Sequence, residues 1–164
     1  MSFDRKVKSN DKYVGFLGSE FSNFYKCNFK INGVNFNSSE QAFMYCKAKL
    51  FNDDEIGCLI LKSNSPKECK RLGRKVSNFE EKKWNENKEK FMYIILKAKF
   101  SGNEFLKNEL LNTGDKIIVE CAPFDKEWGI GINVDEMFNG VEWKGDNKLG
   151  DILMKVRDEL KEVK

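Results

Sequence analysis

The chain of 164 residues contains no histidine. That removes the commonest metal ligand and the commonest general base together, so any chemistry has to come from carboxylates, lysine, tyrosine or cysteine. Cysteine is present without pattern: Cys27, Cys46, Cys58, Cys69 and Cys121 are odd in number, scattered, and form no C-x-x-C pair. Reduced thiols in a cytosolic compartment fit this usage better than a disulfide framework. Nothing in the chain approaches the roughly 20 consecutive apolar residues that span a bilayer, and the N-terminus carries charge where a signal peptide has its apolar run. A soluble, cytoplasmic protein is expected. An excess of one charge is also missing, since 29 basic and 26 acidic residues leave a net +3, too balanced to argue for a duplex-binding surface. No metal and no cofactor is implied.

What is present is one ordinary domain's worth of sequence, 1–164, with 13% aromatic residues to build a single core. Tyr13 to Leu17 reads as a strand, and Phe29, Ile31, Val34 and Phe36 alternate around Asn32-Gly33, the strongest short-range hairpin signal. Ser38 with Gln41 three residues on is a capping-box pattern that opens a helix. Further helices are expected from about Asp53 to Lys62, from Ser65-Pro66 to a closing Gly73, from Asn78 with Glu81 to near Gly102, and from Asn103 to Asn112. Ile117 to Val119 suits a buried strand. A loop from Pro123 to Gly131 follows, and Leu149, Ile152, Leu153, Val156 and Leu160 share one face of a last helix. The sum is a mainly helical α+β chain that begins with a small sheet, without repeat, linker or low-complexity segment.

Glu40 and Lys47 are out of place in that plan. From Ser39 to Phe51 a period of 3.6 residues puts Phe43, Met44, Cys46, Leu50 and Phe51 on one arc with Glu40 and Lys47 inside it, while Gln41, Tyr45 and Lys49 take the other side. Charged side chains are rarely buried unless paired or put to use. Either Glu40 complements the helix dipole and Lys47 carries its amine out to water, or the two form a reactive site.

Several segments together resemble one known family. Gly18-Ser-Glu-Phe-Ser-Asn-Phe24, Ser39-Glu-Gln-Ala-Phe-Met-Tyr-Cys-Lys-Ala48, Gly73-Arg74, Trp84 followed by Lys90-Phe-Met, Thr113-Gly114, Asp125-Lys-Glu-Trp128-Gly129 and Asn147-Lys-Leu-Gly-Asp-Ile-Leu-Met154 occur in order over most of the chain. In these segments the chain is similar to the NADAR (YbiA-like) family. The resemblance implies a single compact, mainly helical α+β domain. It also implies N-glycosidase activity on ribosylated or ADP-ribosylated bases, such as ADP-ribosyl-guanine or ribosylamino-pyrimidine phosphate intermediates of riboflavin synthesis. The implied partner is a small ribose-phosphate or ADP-ribose conjugate, free or carried on a modified nucleic acid, with no membrane involved.

Cleaving an N-glycosidic bond builds positive charge on the anomeric carbon while the departing base takes up a proton. Glu40 is the candidate for stabilising that charge. A desolvated lysine loses part of its proton affinity, and its neutral amine can attack the sugar carbon or the opened aldehyde to give a Schiff base, which is the role read for Lys47. Asp125 is a candidate for accepting a sugar hydroxyl or protonating the base, with Trp128 beside it as a stacking surface and Gly129 in the same motif. Ser22 and Asn23 are candidates for ribose or phosphate, as are Arg74, Asn147 and Lys148 for phosphate, and the resemblance sets the Trp84 ring at the border of the ligand.

Each assignment has a structural counterpart. Trp84 is spaced like a core anchor, Trp128 can staple its loop, Ser22-Asn23 suits an ordinary turn, and exposed Arg74 and Lys148 are often only solvated. An alternative function with the same groups is a module that binds ADP-ribose or NAD without turning it over.

Overall fold

In a computed structural model of the chain, residues 5–163 are described. The charged start that argues against a signal peptide includes residues 1–4, which lie outside them. Along the chain run β1 (Lys6–Ser9), β2 (Tyr13–Leu17), β3 (Lys26–Ile31), β4 (Val34–Ser38), α1 (Ser39–Leu50), α2 (Asp54–Lys62), α3 (Pro66–Gly73), α4 (Glu81–Ser101), α5 (Glu104–Leu111), β5 (Ile117–Glu120), α6 (Val134–Phe138) and α7 (Lys148–Glu162). Most of the expected elements form within a residue or two of their expected bounds. Contacts group them into two compact units, one of Met1–Ser22 with Glu104–Lys164 and the other Asn23–Asn103.

The first unit is built on a three-stranded sheet in the order β1-β2-β5, with β1 antiparallel and β5 parallel to β2. Its core gathers Val119, Cys121, Ile130, Ile132, Val134 and Met137, against which Tyr13, Leu17, Ile117 and Phe138 pack. Gly15 in β2 leaves room for this packing, since a Cβ there would stand 2.9 Å from the Phe138 ring. Helix α7 lays Leu149, Leu153, Val156 and Leu160 inward and packs on β5 and α5. Two elements were not expected from sequence. β1 is a lysine-bearing edge strand whose Lys6 and Lys8 pair with Asp135, a charged edge that discourages further strand pairing. α6 is only five residues long, yet it has a full capping box: Asn133 Oδ1 accepts from the Glu136 N–H at 2.8 Å, and Glu136 Oε1 from the Asn133 N–H at 3.1 Å.

The second unit pairs the β3–β4 hairpin with helices α1 to α4. At the turn Asn32 and Gly33 both take positive φ, 49° and 81°, the pair of left-handed residues that a two-residue hairpin of right-handed twist requires. Helix α1 is the centre, touching β4, α2, α3 and α4. The Ser38 hydroxyl caps it by accepting from the Gln41 N–H at 3.1 Å. The other half of the expected box is displaced by one residue, because Gln41 Oε1 accepts from the Asn37 N–H at 2.8 Å. Gln41 lies on the side read as outward and is nevertheless buried: its Nε2 donates to the carbonyls of Ile60, Leu61 and Ser63, joining α1 to the end of α2.

Two helix ends differ from expectation. Gly73 does not close α3 as a left-handed cap. It is the last helical residue, Arg74 is the C-cap, and the missing side chain admits Met44 of α1 at close range. Asn78 does not cap α4; it takes a left-handed φ of 58° two residues before the true N-cap, Glu80.

Candidate active site

In the second unit the first turn of α1 buries Glu40, at 7% exposure, and the Glu40 N–H donates to the Asn23 carbonyl at 2.9 Å. A carboxylate in a first turn gains about 0.3–1 kcal/mol from the helix dipole. Burial of an ion costs several kcal/mol, so the dipole alone does not account for the placement. Two turns on, Lys47 is half-buried, and among the described residues its ammonium makes no hydrogen bond and no ion pair within 4.0 Å. Burial pushes that ammonium below its usual range; the Glu40 charge pulls the other way, and the Arg74 charge adds to the depression. Depression of a lysine in this way enlarges its fraction of neutral, nucleophilic amine.

Aromatic faces take the place of hydrogen-bond partners. The Lys47 Nζ lies 4.6 Å from the centre of the Phe79 ring and 5.6 Å from that of Trp84. Cation–π attraction of this kind favours the charged form and holds the amine in place without donating or accepting a proton. Trp84 is itself packed, with ring centres of Phe43 at 4.9 Å and Phe91 at 6.2 Å and an exposure of 9%. Its ring serves the core on one side and Lys47 on another. Arg74, exposed at the C-cap of α3, completes a group of Asn23, Glu40, Lys47, Arg74 and Trp84 within this unit.

Cys46, next to Lys47 in α1, is the rival nucleophile, but burial pushes its thiol up to about 11. Cys121 is pushed up to about 12 and Cys27 and Cys69 upward by the same cause, so these four thiols stay protonated at neutral pH. Two buried acceptors beside Glu40 lack hydrogen-bond partners, Asn23 Oδ1 and Ser39 Oγ. An unmet buried polar group costs about 1–3 kcal/mol, a cost that functional positions are known to carry.

The remaining candidates belong to the first unit, where the side chains of Asp125 and Asn147 bond to the backbone. Asp125 Oδ1 accepts from the N–H groups of Glu127 and Trp128 at 3.0 and 2.9 Å, folding the loop into an Asx turn. Gly129 has no space for a side chain: a Cβ would stand 2.9 Å from the Glu120 carbonyl and 3.0 Å from that of Asp125. Asn147, with a left-handed φ of 55°, is buried and uses both ends of its amide on the edge of β5, Oδ1 accepting from Glu120 N–H at 3.0 Å and Nδ2 donating to Ile118 O at 2.9 Å. Lys148 pairs with Glu127 at 3.0 Å. Trp128 is half-buried, and its carbonyl receives the Leu149 N–H at 3.1 Å. Ser22 is buried, its N–H donating to Ser19 O at 2.9 Å. A cleft of about 520 Å³ in this unit is lined by Asp11, Lys12 and residues 112–117, including Thr113 and Gly114 but none of the candidate residues.

Sequence reasoning missed Phe79, which borders Lys47, and Asp53, which holds the segment that carries it. Phe79 lies outside every helical period, so no periodicity marks it. The sequence marks Asp53 only as the edge of a helix, yet its second oxygen accepts from the Ser77 N–H at 2.8 Å and fixes the segment that carries Phe79. Among the described residues no group of three Cys, Asp or Glu side chains is placed to hold a metal ion, and no helix is long and apolar enough to cross a membrane.

Helix α1 of this small α+β fold thus carries a buried acid, Glu40, and a desolvated amine, Lys47. The NADAR domain family model matches residues 15–161, and the chain belongs to that family. It is 40% identical over 164 residues to the N-glycosidase R617 of Acanthamoeba polyphaga mimivirus, covering 91% of this chain and 96% of that protein. Similarity extends to the riboflavin biosynthesis protein VVA0006 of Vibrio vulnificus, 32% identical over 93% of this chain and 37% of the longer protein. The N-glycosidase YbiA of Escherichia coli is 33% identical over 86% of this chain and 81% of its own length. The NMR structure of E. coli YbiA shares the fold with a TM-score of 0.76 at 31% identity, over 94% of this chain and 88% of that one. The expected family and fold class are both met.

Proposed function

We propose that this NADAR-family N-glycosidase cleaves the bond between ribose and a base in a ribosylated or ADP-ribosylated conjugate, with Glu40 and Lys47 performing the chemistry. The observation that carries the reading is the Lys47 amine, depressed by burial and the nearby Arg74, on the same helix as a buried carboxylate. The neutral amine attacks the anomeric carbon; a carbon–nitrogen bond to Lys47 forms as the bond to the base breaks, and the electron pair leaves on the base nitrogen, which takes up the proton that the amine gives up on attack. The Glu40 carboxylate stabilises the positive charge that develops on the sugar. Water then hydrolyses the lysine adduct, giving its oxygen to the sugar carbon and returning the amine. Asn23 Oδ1, buried without a partner, is read as an acceptor for a ribose hydroxyl, and Arg74 as a phosphate contact.

The names of the relatives support the coarse activity, and that of the Vibrio protein supports a ribosylamino-pyrimidine phosphate as one of two substrate classes, the other being ADP-ribosyl-guanine. The family match runs through both units, which supports reading the chain as one functional domain. Five free cysteines suit the reducing cytoplasm as its place of action.

The test is release of free base from ADP-ribosylated guanosine and from a ribosylamino-pyrimidine phosphate, side by side, with borohydride added during turnover. Turnover of one substrate, with sugar mass fixed on Lys47, is expected. Absence of turnover with both, while ADP-ribose still binds, overturns the reading in favour of a binding module.

A further inference from the structure

We propose that Phe79 is the stacking platform for the leaving base, so that this ring, within the Lys47 site, selects planar heteroaromatic leaving groups. The inference rests on the reading of Lys47 as the attacking amine. Phe79 is 45% exposed, and unlike the more exposed Phe105 and Phe124 it lies against the Lys47 amine. Its edge contact with Phe51 has ring centres 5.3 Å apart at 61°, and the Lys47 Nζ stands 4.6 Å from its centre. The segment is built: Asp53 accepts from the Ile56 N–H with one oxygen, capping α2, and from the Ser77 N–H with the other, while Asn78 turns the chain through a left-handed conformation into Phe79. This clamp joins the start of α2 to the Phe79 segment, and it fixes where an apolar ring meets solvent.

Distances connect the ring to the reaction. An amine poised for attack sits about 3–3.5 Å from the carbon it attacks. The leaving nitrogen is one bond beyond that carbon, and a base extends several ångströms further. The Phe79 ring, with its face 4.6 Å from the same amine, borders this path, and the proposal places the base along that face, where it would stack as it departs. Base–aromatic stacking contributes about 1–3 kcal/mol and tolerates different bases, because every base has a π-face. Phe79 thus serves purine and pyrimidine leaving groups alike and gives nothing to a sugar phosphate without a base.

The experiment uses the whole chain with Phe79→Ala, Phe79→Leu and Phe79→Tyr, and two probes that need no turnover, guanosine and ribose 5-phosphate, titrated by calorimetry. Guanosine affinity is expected to fall by about 10-fold or more in the Ala and Leu variants, the lower part of the stacking range, and to return in Phe79→Tyr, with ribose 5-phosphate unchanged throughout. Phe79→Leu keeps an apolar cover on Phe51, so a melting temperature near wild type identifies its effect as loss of the flat ring. Equal weakening of both probes, or no change in either, overturns the proposal, as does failure of guanosine to bind wild type. Because the titrations measure binding alone, an absence of sugar adduct on Lys47 counts against the glycosidase reading separately.

Discussion

The start of α1 and the loop from Pro123 to Gly131 carry motifs of similar appearance, yet they use their polar atoms differently. In the loop, Asp125 Oδ1 receives two backbone N–H groups, Gly129 makes space for carbonyls, and the nearby Asn147 uses both the oxygen and the nitrogen of its amide on β5. At α1, Lys47 has aromatic faces in place of hydrogen-bond partners, and Asn23 Oδ1 and Ser39 Oγ are buried without partners. Saturated polar groups build scaffold, since a hydrogen bond already made inside the fold has to be broken before a ligand can use it. Unsaturated ones are tolerated where a ligand completes them. This contrast supports the proposal that the chemistry belongs to the second unit's helix.

The largest expected effect breaks or confirms that division directly. Glu40→Gln is expected to reduce kcat by about 100- to 1,000-fold, the usual size for removal of one preorganised electrostatic partner, with ligand still bound. Asp125→Asn keeps an oxygen to accept the Glu127 and Trp128 N–H groups and removes only the carboxylate, so turnover within a few-fold of wild type and an unchanged melting temperature are expected. Steady-state kinetics and a thermal melt on both variants decide the matter. A collapse of kcat in Asp125→Asn at unchanged stability assigns acid chemistry to the loop and ends the comparison.

Asn147 carries the next effect. Removal of its side chain in Asn147→Ala leaves the Glu120 N–H and Ile118 carbonyl without their partner on β5 and puts alanine in a left-handed conformation. At about 1 kcal/mol for each lost bond the cost is about 2 kcal/mol. For a chain of this size that lowers the melting temperature by about 4–8 °C, with kcat per folded molecule preserved. An unshifted melt with a raised KM instead gives Asn147 the phosphate contact that the sequence suggested.

The contrast also explains what could be read in advance. The hairpin, α1 and the order of helices were legible because Asn32-Gly33, Ser38 and the apolar periods act locally, within a few residues. Glu40 and Lys47 stood out because they break a local period. β1 was missed because Lys6-Val-Lys-Ser9 has no alternation strong enough to announce a strand and is defined by its partner β2. The use of Asn147 was hidden for a similar reason: its partners lie 27 and 29 residues away, and an asparagine beside a lysine looks the same whether it meets a phosphate or a strand edge. Phe79 was invisible because its position depends on Asp53, 24 residues upstream of the Ser77 it holds.

The smallest effect probes how the second unit tunes its amine. Burial is the first cause of the depressed Lys47 ammonium, Glu40 opposes it, and Arg74 adds to it by like-charge repulsion. Removing a neighbouring positive charge makes protonation of Lys47 easier, so Arg74→Ala raises the Lys47 pKa toward its ordinary value. The neutral amine then appears only at higher pH, and the acid limb of the kcat/KM profile moves upward. Arg74→Lys retains a positive charge at that position and is expected to move the limb much less. Arg74 is exposed, so added salt should shrink the wild-type shift as well. Phosphate binding by the same guanidinium shows up separately, as a raised KM at the plateau of the profile in Arg74→Ala. A limb that stays in place in Arg74→Ala means that the Arg74 charge does not tune the amine and leaves burial, opposed by Glu40, to set it, whereas an equal movement in Arg74→Lys means that the guanidinium acts through something other than its charge.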